Sequence, residues 1–237
     1  MASTHTDDRH ILERIDPNLV ENAAKIGYEF LEGFKAVEQI GRPGATIFGS
    51  ARISESHPMY GEARETGRLF AEAGFAVITG GGPGVMEAAN RGAREGGGVS
   101  VGFRIQLPRE ELANPYLDIS VLFEHFYSRK TMLVKAAEGF VLFPGGFGTL
   151  DELFESLVLI QTGVVEHFPA VLFGQSYWEG LLAWIRRHPL DEALISPEDL
   201  DLLFVTDDPA EAVEVVVDCY RRHCAESPAQ AGKADAQ

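Results

Sequence analysis

A glycine-rich turn between an apolar run and a helical pattern is the part of the sequence best suited to chemistry. The run Phe140–Phe143 has the length and composition of a buried strand, and Pro144–Thr149, with the letters PGGFGT, follows it. Apolar residues then recur every three or four positions as far as Val158, which predicts an amphipathic helix. Such a turn presents backbone N–H groups and the positive end of a helix to an anion, and its glycines allow a close approach. The turn therefore predicts a binding site for a phosphorylated ligand.

The spacing of the glycines argues against two common nucleotide-binding loops. The turn does not match G-x-G-x-x-G, and no lysine follows Gly148 as the phosphate-binding loop G-x-x-x-x-G-K-[ST] would require. Neither a dinucleotide fingerprint nor a nucleotide triphosphatase is therefore supported.

Two acidic residues follow glycine clusters, and each allows two interpretations. Glu152 lies three residues after Thr149. The pattern T-x-x-E indicates either a capping box or a carboxylate that faces a ligand from the first helical turn. Glu87 lies in the first turn of the helix after Gly80–Gly84, where it would stabilise the helix dipole or bind a ligand hydroxyl. Local sequence leaves these alternatives open.

Two adjacent cations, Arg129 and Lys130, lie near the start of another predicted helix. Positive charges oppose the dipole at that end, so local helix stability does not explain them. They form either a solvated surface pair or an anion-binding pair, in which Arg129 holds a phosphate or carboxylate through two hydrogen bonds. Arg52, after Gly49-Ser50, is a weaker candidate of the same kind.

Short apolar strands alternate with helices around these residues. The expected strands are Ala45–Phe48, Phe75–Thr79, Val99–Ile105, Leu117–Phe123, Phe140–Phe143, Ala170–Phe173 and Leu203–Thr206. The expected helices between and after them are Met59–Ala73, Val85–Glu95, Phe126–Glu138, the stretch from the glycine turn to Thr162, Tyr177–Arg187, Pro197–Leu202 and Pro209–His223. This alternation predicts an α/β fold, with a parallel sheet covered by helices on both faces. Ligands of such sheets bind beyond the carboxyl ends of the strands, where Gly49-Ser50, Gly80–Gly84 and Pro144–Thr149 should meet.

The sequence divides into three parts. Residues 1–44 contain a polar start and a helical extension, Asn18–Ile40, whose predicted apolar face comprises Ala23, Ile26, Phe30, Phe34 and Val37. Residues 45–223 form the α/β domain, with a polar loop over Gln106–Pro115, and residues 224–237 are expected to be a disordered tail. The extension must pack either on its own domain or against another subunit.

Charge and composition narrow the classes of partner. A net charge of −16 argues against general binding to nucleic acid or to anionic membranes. The start has no apolar core of a signal peptide, and no stretch is long and apolar enough to span a membrane. Cys219 and Cys224 are poorly placed to bridge each other, which favours free thiols in a reducing cytoplasm. The histidines lack ligand spacing, so we predict no metal.

Three blocks of residues together resemble the Lonely Guy family of cytokinin riboside 5′-monophosphate phosphoribohydrolases, many of which were long misnamed lysine decarboxylases. The stretch Pro144–Glu152 matches the family signature PGGxGTxxE in full. Arg129-Lys130 is similar to the family's RK pair, and Ile78–Ala93 resembles its first glycine-rich loop and helix. The similarity extends from Ala45 to Val217. Gly-Ser-Ala stands after the first strand, where short members commonly have Gly-Ser-Ser.

The resemblance implies a Rossmann-like fold, a homo-oligomer with active sites near subunit contacts, and hydrolysis of the N-glycosidic bond of AMP-like nucleotides without a cofactor. It makes Arg129 and Glu152 the catalytic pair. The residues implied to bind the nucleotide and its phosphate are Gly145, Gly146, Gly148, Thr149, Lys130, Glu87, Ser50, Gly81 and Gly82. The helical extension is similar to that of longer members, which form dimer-based larger assemblies.

Three other functions are weighed against hydrolysis. A nucleotide or molybdenum-cofactor carrier could keep the glycines, but it would not need the carboxylate of Glu152. DNA processing on a related fold is disfavoured by the negative charge. Lysine decarboxylation fails because nothing in the sequence points to a site for the pyridoxal phosphate that it would need.

Overall fold

The computed structural model describes residues 18–107, 114–165 and 168–226. Its strands are β1 Gly44–Phe48, β2 Ala76–Thr79, β3 Ser100–Ile105, β4 Ile119–Phe123, β5 Phe140–Leu142, β6 Ala170–Phe173 and β7 Leu203–Thr206. Its α-helices are α1 Leu19–Ile40, α2 Pro58–Glu72, α3 Val85–Glu95, α4 Phe126–Lys135, α5 Phe147–Gln161, α6 Gln175–Ile185 and α7 Pro209–Glu226. A π-helical turn, Arg186–Leu190, continues α6, and a 3₁₀ helix, Pro197–Leu202, precedes β7. The predicted elements are all confirmed, with small shifts at their ends.

All seven strands are parallel, in the order β4-β3-β2-β1-β5-β6-β7. The chain builds the sheet outward from β1 in one direction as far as β4, and then returns to the other side of β1 with β5. The loops after β1 and β5 therefore run to opposite faces of the sheet, which opens a crevice at its carboxyl edge. This confirms the predicted Rossmann-like architecture and locates the crevice beside the PGGFGT turn.

Two hydrophobic layers cover the sheet. One face carries α1, α4, α5 and α6, with Phe140, Met132, Leu153 and Trp178 buried against it. The other face carries α2, α3 and α7, and includes Phe70, Val85 and Val216. Because the buried strands alternate their side chains between these layers, both faces of each central strand are apolar.

The N-terminal helix packs on its own domain through its second half. Gly33, Ala36 and Ile40 are buried, and a Cβ at Gly33 would lie 2.7 Å from Cγ of Met132 on α4. The contact stripe is therefore centred on small residues, and the face predicted from apolar spacing was wrong in part: Ala23 is exposed and Phe34 is 38% exposed. The absence of a side chain at Gly33 lets α1 approach α4 closely.

The last helix ends three residues later than predicted, at Glu226 rather than His223. Residues 224–227 include neither glycine nor proline, and the first proline after His223 is Pro228. The residue before a proline is disfavoured in α conformation. The predicted polar start at 1–17, the middle of the predicted loop at 108–113 and the tail after residue 226 lie outside the described residues. Within the described ranges, no helix has the length and apolar character needed to cross a membrane. Cys219 forms no disulfide with any described residue, whereas the side chain of Cys224 lies outside the described part.

The packing of α2 on α3 depends on two glycines. A Cβ at Gly67 would lie 2.1 Å from the carbonyl oxygen of Ala89, and one at Gly92 would lie 1.8 Å from that of Arg64. The two backbones therefore touch directly, and this contact sets the position of α3 and of the Gly80–Gly84 turn before it.

We expect Gly67→Ala to destabilise the protein by about 2 kcal/mol or more, because the added methyl group must push two helix backbones apart. The matched control is Gly61→Ala on the same helix, where a Cβ would meet no atom within 4 Å. That change should stabilise by about 0.5–1 kcal/mol, since alanine loses less backbone entropy than glycine in a helix. Urea denaturation measures both. Equal effects at the two positions would contradict the close α2–α3 contact.

Candidate active site

The PGGFGT turn forms the start of α5. Gly146 is the N-cap residue of the helix and has no capping side chain, so Phe147 is the first helical residue. A Cβ at Gly145 would lie 2.0 Å from Oγ1 of Thr149, so only glycine fits beside the threonine hydroxyl. Among the described residues, neither the N–H of Gly145 nor that of Gly146 has a hydrogen-bond acceptor. The turn therefore presents unused donors at a helix N-terminus, together with the N–H groups of Phe147 and Gly148.

This helix start decides between the interpretations of Glu152. A capping box would need Thr149 as the N-cap residue, but Thr149 is the third residue of the helix, so the capping interpretation was wrong. The expected position in the first helical turn was also wrong, because Glu152 is the sixth residue of a helix that begins at Phe147. Glu152 lies in the second turn, on the side of α5 that is buried.

The carboxyl group of Glu152 is removed from water. Only 6% of the residue is exposed, and Oε2 is buried without a hydrogen-bond partner among the described residues. Burial raises the pKa of Glu152 from an ordinary value of 4.5 to about 7. The charges of Lys130 and Arg129 lower the pKa, but they do not cancel the effect of burial.

Lys130 connects α4 to α5. Its Nζ lies 3.0 Å from Oδ2 of Asp151 and 2.7 Å from Oε2 of Glu155, and its side chain is 16% exposed. Burial, the largest single influence, lowers the pKa of Lys130, but the bonds to Glu155 and Asp151 and the charge of Glu152 outweigh it, so the net pKa is raised. The ammonium group is therefore charged and fixed by the residues on both sides of Glu152.

Arg129 reaches from α4 across the ends of β2 and β3. Its Nε donates a hydrogen bond of 2.7 Å to the carbonyl oxygen of Phe103, and a Cβ at Gly80 would lie 2.2 Å from Nη2 of the guanidinium. Both cations are thus partly buried and held in place, so the interpretation as a solvated surface pair was wrong. Arg52, the weaker candidate, is exposed.

The other two glycine turns meet the PGGFGT turn through backbone hydrogen bonds. The N–H of Ser50 donates to the carbonyl oxygen of Pro144 at 3.1 Å, and the carbonyl oxygen of Ser50 accepts from the N–H of Val85, also at 3.1 Å. The side chain of Ser50 accepts from the N–H of Arg52. Ser50 therefore joins the three turns through its backbone, as the topology of the sheet predicts.

Two positions in the turn after β2 have backbone conformations that favour glycine. Gly81 has a φ of 69°, and its N–H donates to Oγ1 of Thr79 at 2.9 Å. Gly84 has a φ of 70°, and a Cβ there would lie 2.4 Å from the carbonyl oxygen of Ser50. Gly82 is buried between them. Glycine is required at 81 and 84 because other residues rarely adopt this conformation.

Glu87 lies in the first turn of α3, and its Oε1 accepts a hydrogen bond of 3.0 Å from the hydroxyl of Tyr60 on α2. Burial is the main reason why the pKa of Tyr60 is raised to about 12, so this hydroxyl keeps its proton and remains a donor. Glu87 is therefore oriented by a neighbouring helix at the edge of the Gly80–Gly84 turn.

Sequence analysis did not identify a buried polar network behind this turn. Oδ1 of Asn90 accepts from Thr79 Oγ1 at 2.6 Å and from Asn114 Nδ2 at 2.9 Å, and Nδ2 of Asn90 donates to Oγ of Ser100 at 2.8 Å. Thr79 in turn receives the N–H of Gly81, so the network fixes the turn. The polar Asn90 among the alanines of α3 was the only local indication.

Comparison with known proteins identifies the family. The sequence model of the family described as "Possible lysine decarboxylase" matches residues 86–216, which is more than half of the chain. The chain belongs to the Lonely Guy family. A curated member, "Cytokinin riboside 5'-monophosphate phosphoribohydrolase" from Mycobacterium tuberculosis, is 31% identical over 153 residues, which cover 64% of this chain and 81% of that protein.

Solved structures of similar fold cover most of the chain. The X-ray structure of TM1055 superposes with a TM-score of 0.57 at 26% identity, over 74% of this chain and 99% of that one. The Moco carrier protein from Chlamydomonas reinhardtii has a TM-score of 0.56 at 23% identity, over 76% of this chain and 99% of that one. The second likeness concerns the fold alone, so the Lonely Guy fold is shared with a carrier.

The burial of Glu152 should make the stability of the protein depend on pH. Below about pH 4.5 the carboxyl is protonated in both states, and between about pH 4.5 and about pH 7 only the unfolded state releases the proton. Stability therefore falls as the pH rises through this window. We expect Glu152→Gln, which stays neutral, to gain up to about 3 kcal/mol in unfolding free energy over the wild type at about pH 8.5 relative to about pH 5.

Denaturant unfolding at the two pH values measures this difference. Glu38→Gln, at an exposed glutamate on α1, controls for the loss of one surface charge. A difference between Glu152→Gln and the wild type that does not change with pH would mean that the pKa of Glu152 is not raised.

Proposed function

We propose that this chain hydrolyses the N-glycosidic bond of adenine nucleoside 5′-monophosphates, N6-prenylated ones included, to the free base and ribose 5-phosphate. The observation that carries the proposal is the buried carboxyl of Glu152, with an unpartnered oxygen and two held cations beside it. The name of the Mycobacterium tuberculosis relative supports the same reaction.

The PGGFGT turn is proposed to bind the 5′-phosphate. The unused N–H groups of Gly145 and Gly146 and the first N–H groups of α5 lie in one short stretch at the positive end of the helix dipole. With a net charge of −16, the chain offers no general attraction to an anion, so these local donors must select it. Gly148 and Thr149 complete this anion site.

The carboxylate of Glu152 is proposed to act at C1′ of the ribose. As the bond from C1′ to the base nitrogen breaks, its electron pair leaves with the base and positive charge develops on the sugar. A carboxylate in a dry site stabilises that charge far more strongly than one in water. The oxygen of a water molecule then bonds to C1′, and a proton passes to the base, which balances the hydrolysis.

The two cations have separate proposed roles. Lys130 fixes the surroundings of Glu152 through Asp151 and Glu155, and its charge favours the ionised carboxylate. The guanidinium of Arg129 lies against Gly80, at the start of the turn after β2, and is proposed to stabilise negative charge on the departing base. Glu87, whose carboxylate accepts a hydrogen bond from Tyr60, is proposed to accept a second one from a ribose hydroxyl.

We expect the wild type to release adenine from AMP and N6-isopentenyladenine from isopentenyladenosine monophosphate. Glu152→Gln should lower kcat about 1,000-fold or more, and Arg129→Ala about 100-fold or more, because each removes a charge that stabilises the transition state. Chromatography of the released base measures both. Glu38→Gln and Arg42→Ala, at exposed positions, are the matched controls and should keep wild-type rates.

The same experiment distinguishes the carrier from the enzyme. Nucleotide binding without release of base from either substrate would overturn the hydrolase proposal and favour a carrier. Wild-type rates in Glu152→Gln, with the variant folded, would remove Glu152 from the mechanism.

The pH dependence of catalysis follows from the required charge state of Glu152. Because the carboxylate is the active form and the pKa is about 7, kcat/KM for AMP should rise with pH and level off above this value. The residual activity of Glu152→Gln should lack this rise, which separates the contribution of Glu152 from titration of the substrate phosphate. Initial rates between about pH 5 and about pH 9 measure the profile. A kcat/KM that falls as the pH rises through about 7 would assign Glu152 the role of an acid instead.

A further inference from the structure

We infer that Tyr177 is a positioning residue that sets the direction of the Gly146 N–H in the phosphate-binding turn. The inference rests on the proposed function, since it takes the PGGFGT turn to be the phosphate site. It concerns a residue outside the family signature, 32 positions along the chain from Gly145.

The contact is a single hydrogen bond from α6 to the turn. The hydroxyl of Tyr177 donates to the carbonyl oxygen of Gly145 at 2.5 Å. Tyr177 is the third residue of α6, and the start of this helix lies against the turn, because a Cβ at Gly174 would be 3.3 Å from Cγ of Pro144.

The ring of Tyr177 is itself held in place. It packs edge-on against Trp178, with the ring centroids 4.8 Å apart. Trp178 is fully buried, and its Nε1 donates to the carbonyl oxygen of Phe173 at 2.9 Å. The hydroxyl of Tyr177 is thus carried by a rigid part of the fold.

Because the peptide unit is planar, the hydrogen bond to the Gly145 carbonyl also fixes the direction of the Gly146 N–H. The carbonyl of Gly145 and the N–H of Gly146 belong to one trans peptide, so they point in opposite directions. With the oxygen fixed towards Tyr177, the N–H must point away from α6. The preceding carbonyl, that of Pro144, is fixed from the other side of the turn by the N–H of Ser50.

An external hydrogen bond is needed because this peptide lies between two glycines. The carbonyl oxygen of Gly146 accepts the N–H groups of Thr149 and Leu150, but its own N–H has no acceptor among the described residues, and a Cβ there would meet no atom within 4 Å. Glycine on both sides of a peptide lowers the barrier to a change in its orientation, because few backbone conformations are forbidden. Without the hydroxyl of Tyr177, the Gly146 N–H would sample other directions and the phosphate would have to order it on binding.

The hydroxyl of Tyr177 should affect ligand binding more than the stability of the fold. Tyr177 is 44% exposed, so water can replace the lost partner of the Gly145 carbonyl at little cost in stability. The change Tyr177→Phe keeps the ring and removes only the hydroxyl. Its consequence should therefore appear in the binding of the phosphate.

The test compares ligands with and without a phosphate in the full-length chain. Calorimetry gives Kd for ribose 5-phosphate, AMP and adenosine, and steady-state rates give kcat and KM for AMP. In Tyr177→Phe we expect Kd for ribose 5-phosphate and KM for AMP to rise about 5- to 10-fold, the effect of weakening one hydrogen bond. We expect kcat and the Kd for adenosine to stay within about twofold, since uniform binding is lost rather than transition-state binding. Tyr28→Phe, at an exposed tyrosine on α1, should leave all five values unchanged.

Several results would overturn the inference. These are an unchanged Kd for ribose 5-phosphate in Tyr177→Phe, an equal loss of adenosine binding, and a wild type that binds no phosphorylated ligand. Failure of the proposed hydrolysis has a different signature. A wild type that binds ribose 5-phosphate but releases no base, with weaker binding in Tyr177→Phe, would refute the enzyme and support the role of Tyr177.

Discussion

The removal of the Glu152 carboxyl from water is the constraint on which the rest of the site depends. A buried carboxylate with an unpartnered oxygen is costly, and opposite charges nearby repay only part of the cost. Burial remains the largest influence on the pKa of Glu152 even with Lys130 and Arg129 close by. A fold keeps such a group only where the surrounding contacts stabilise it independently, and this combination is typical of functional sites.

The contacts that hold the site in place are those of the two cations with residues other than Glu152. Lys130 is bound by Asp151 and Glu155, which precede and follow Glu152 on α5, and Arg129 is bound by the carbonyl of Phe103 on β3. No ion pair joins either cation to Glu152, so their charges act on its carboxyl at a distance, opposed by the nearby carboxylates of Asp151 and Glu155. This leaves its oxygen available to a ligand.

Much of the fold could be predicted because the apolar pattern alone determines it. The helix Val85–Glu95 and the strands Ala170–Phe173 and Leu203–Thr206 were predicted at the residues where they occur. The strands are short apolar runs and the helix lies between Gly84 and Gly96, which are local features of the sequence. The meeting of three glycine turns also followed from sequence, because all parallel strands end at the same edge.

The details of the site depended on tertiary contacts that no local pattern contains. The T-x-x-E pattern suggested a cap at Thr149, but the N-cap residue is Gly146, which carries no capping side chain to detect. Asn90 was missed because its partners, Thr79 and Asn114, come from other elements. The raised pKa of Glu152 likewise arises from burial, which a sequence pattern does not measure.

The N-terminal extension contacts the elements that carry the candidate active site. Glu29 on α1 accepts the N–H of Glu124 at 2.6 Å, and its second oxygen lies 3.2 Å from Nδ1 of His125, the N-cap residue of α4. Because α4 carries Arg129, the position of α1 bears on the orientation of that guanidinium. The first half of α1 exposes the apolar side chains of Leu19 and Val20, whereas its second half packs against α4. The second half of α1 therefore supports the helix that carries Arg129, which gives the extension a physical reason to precede the α/β domain.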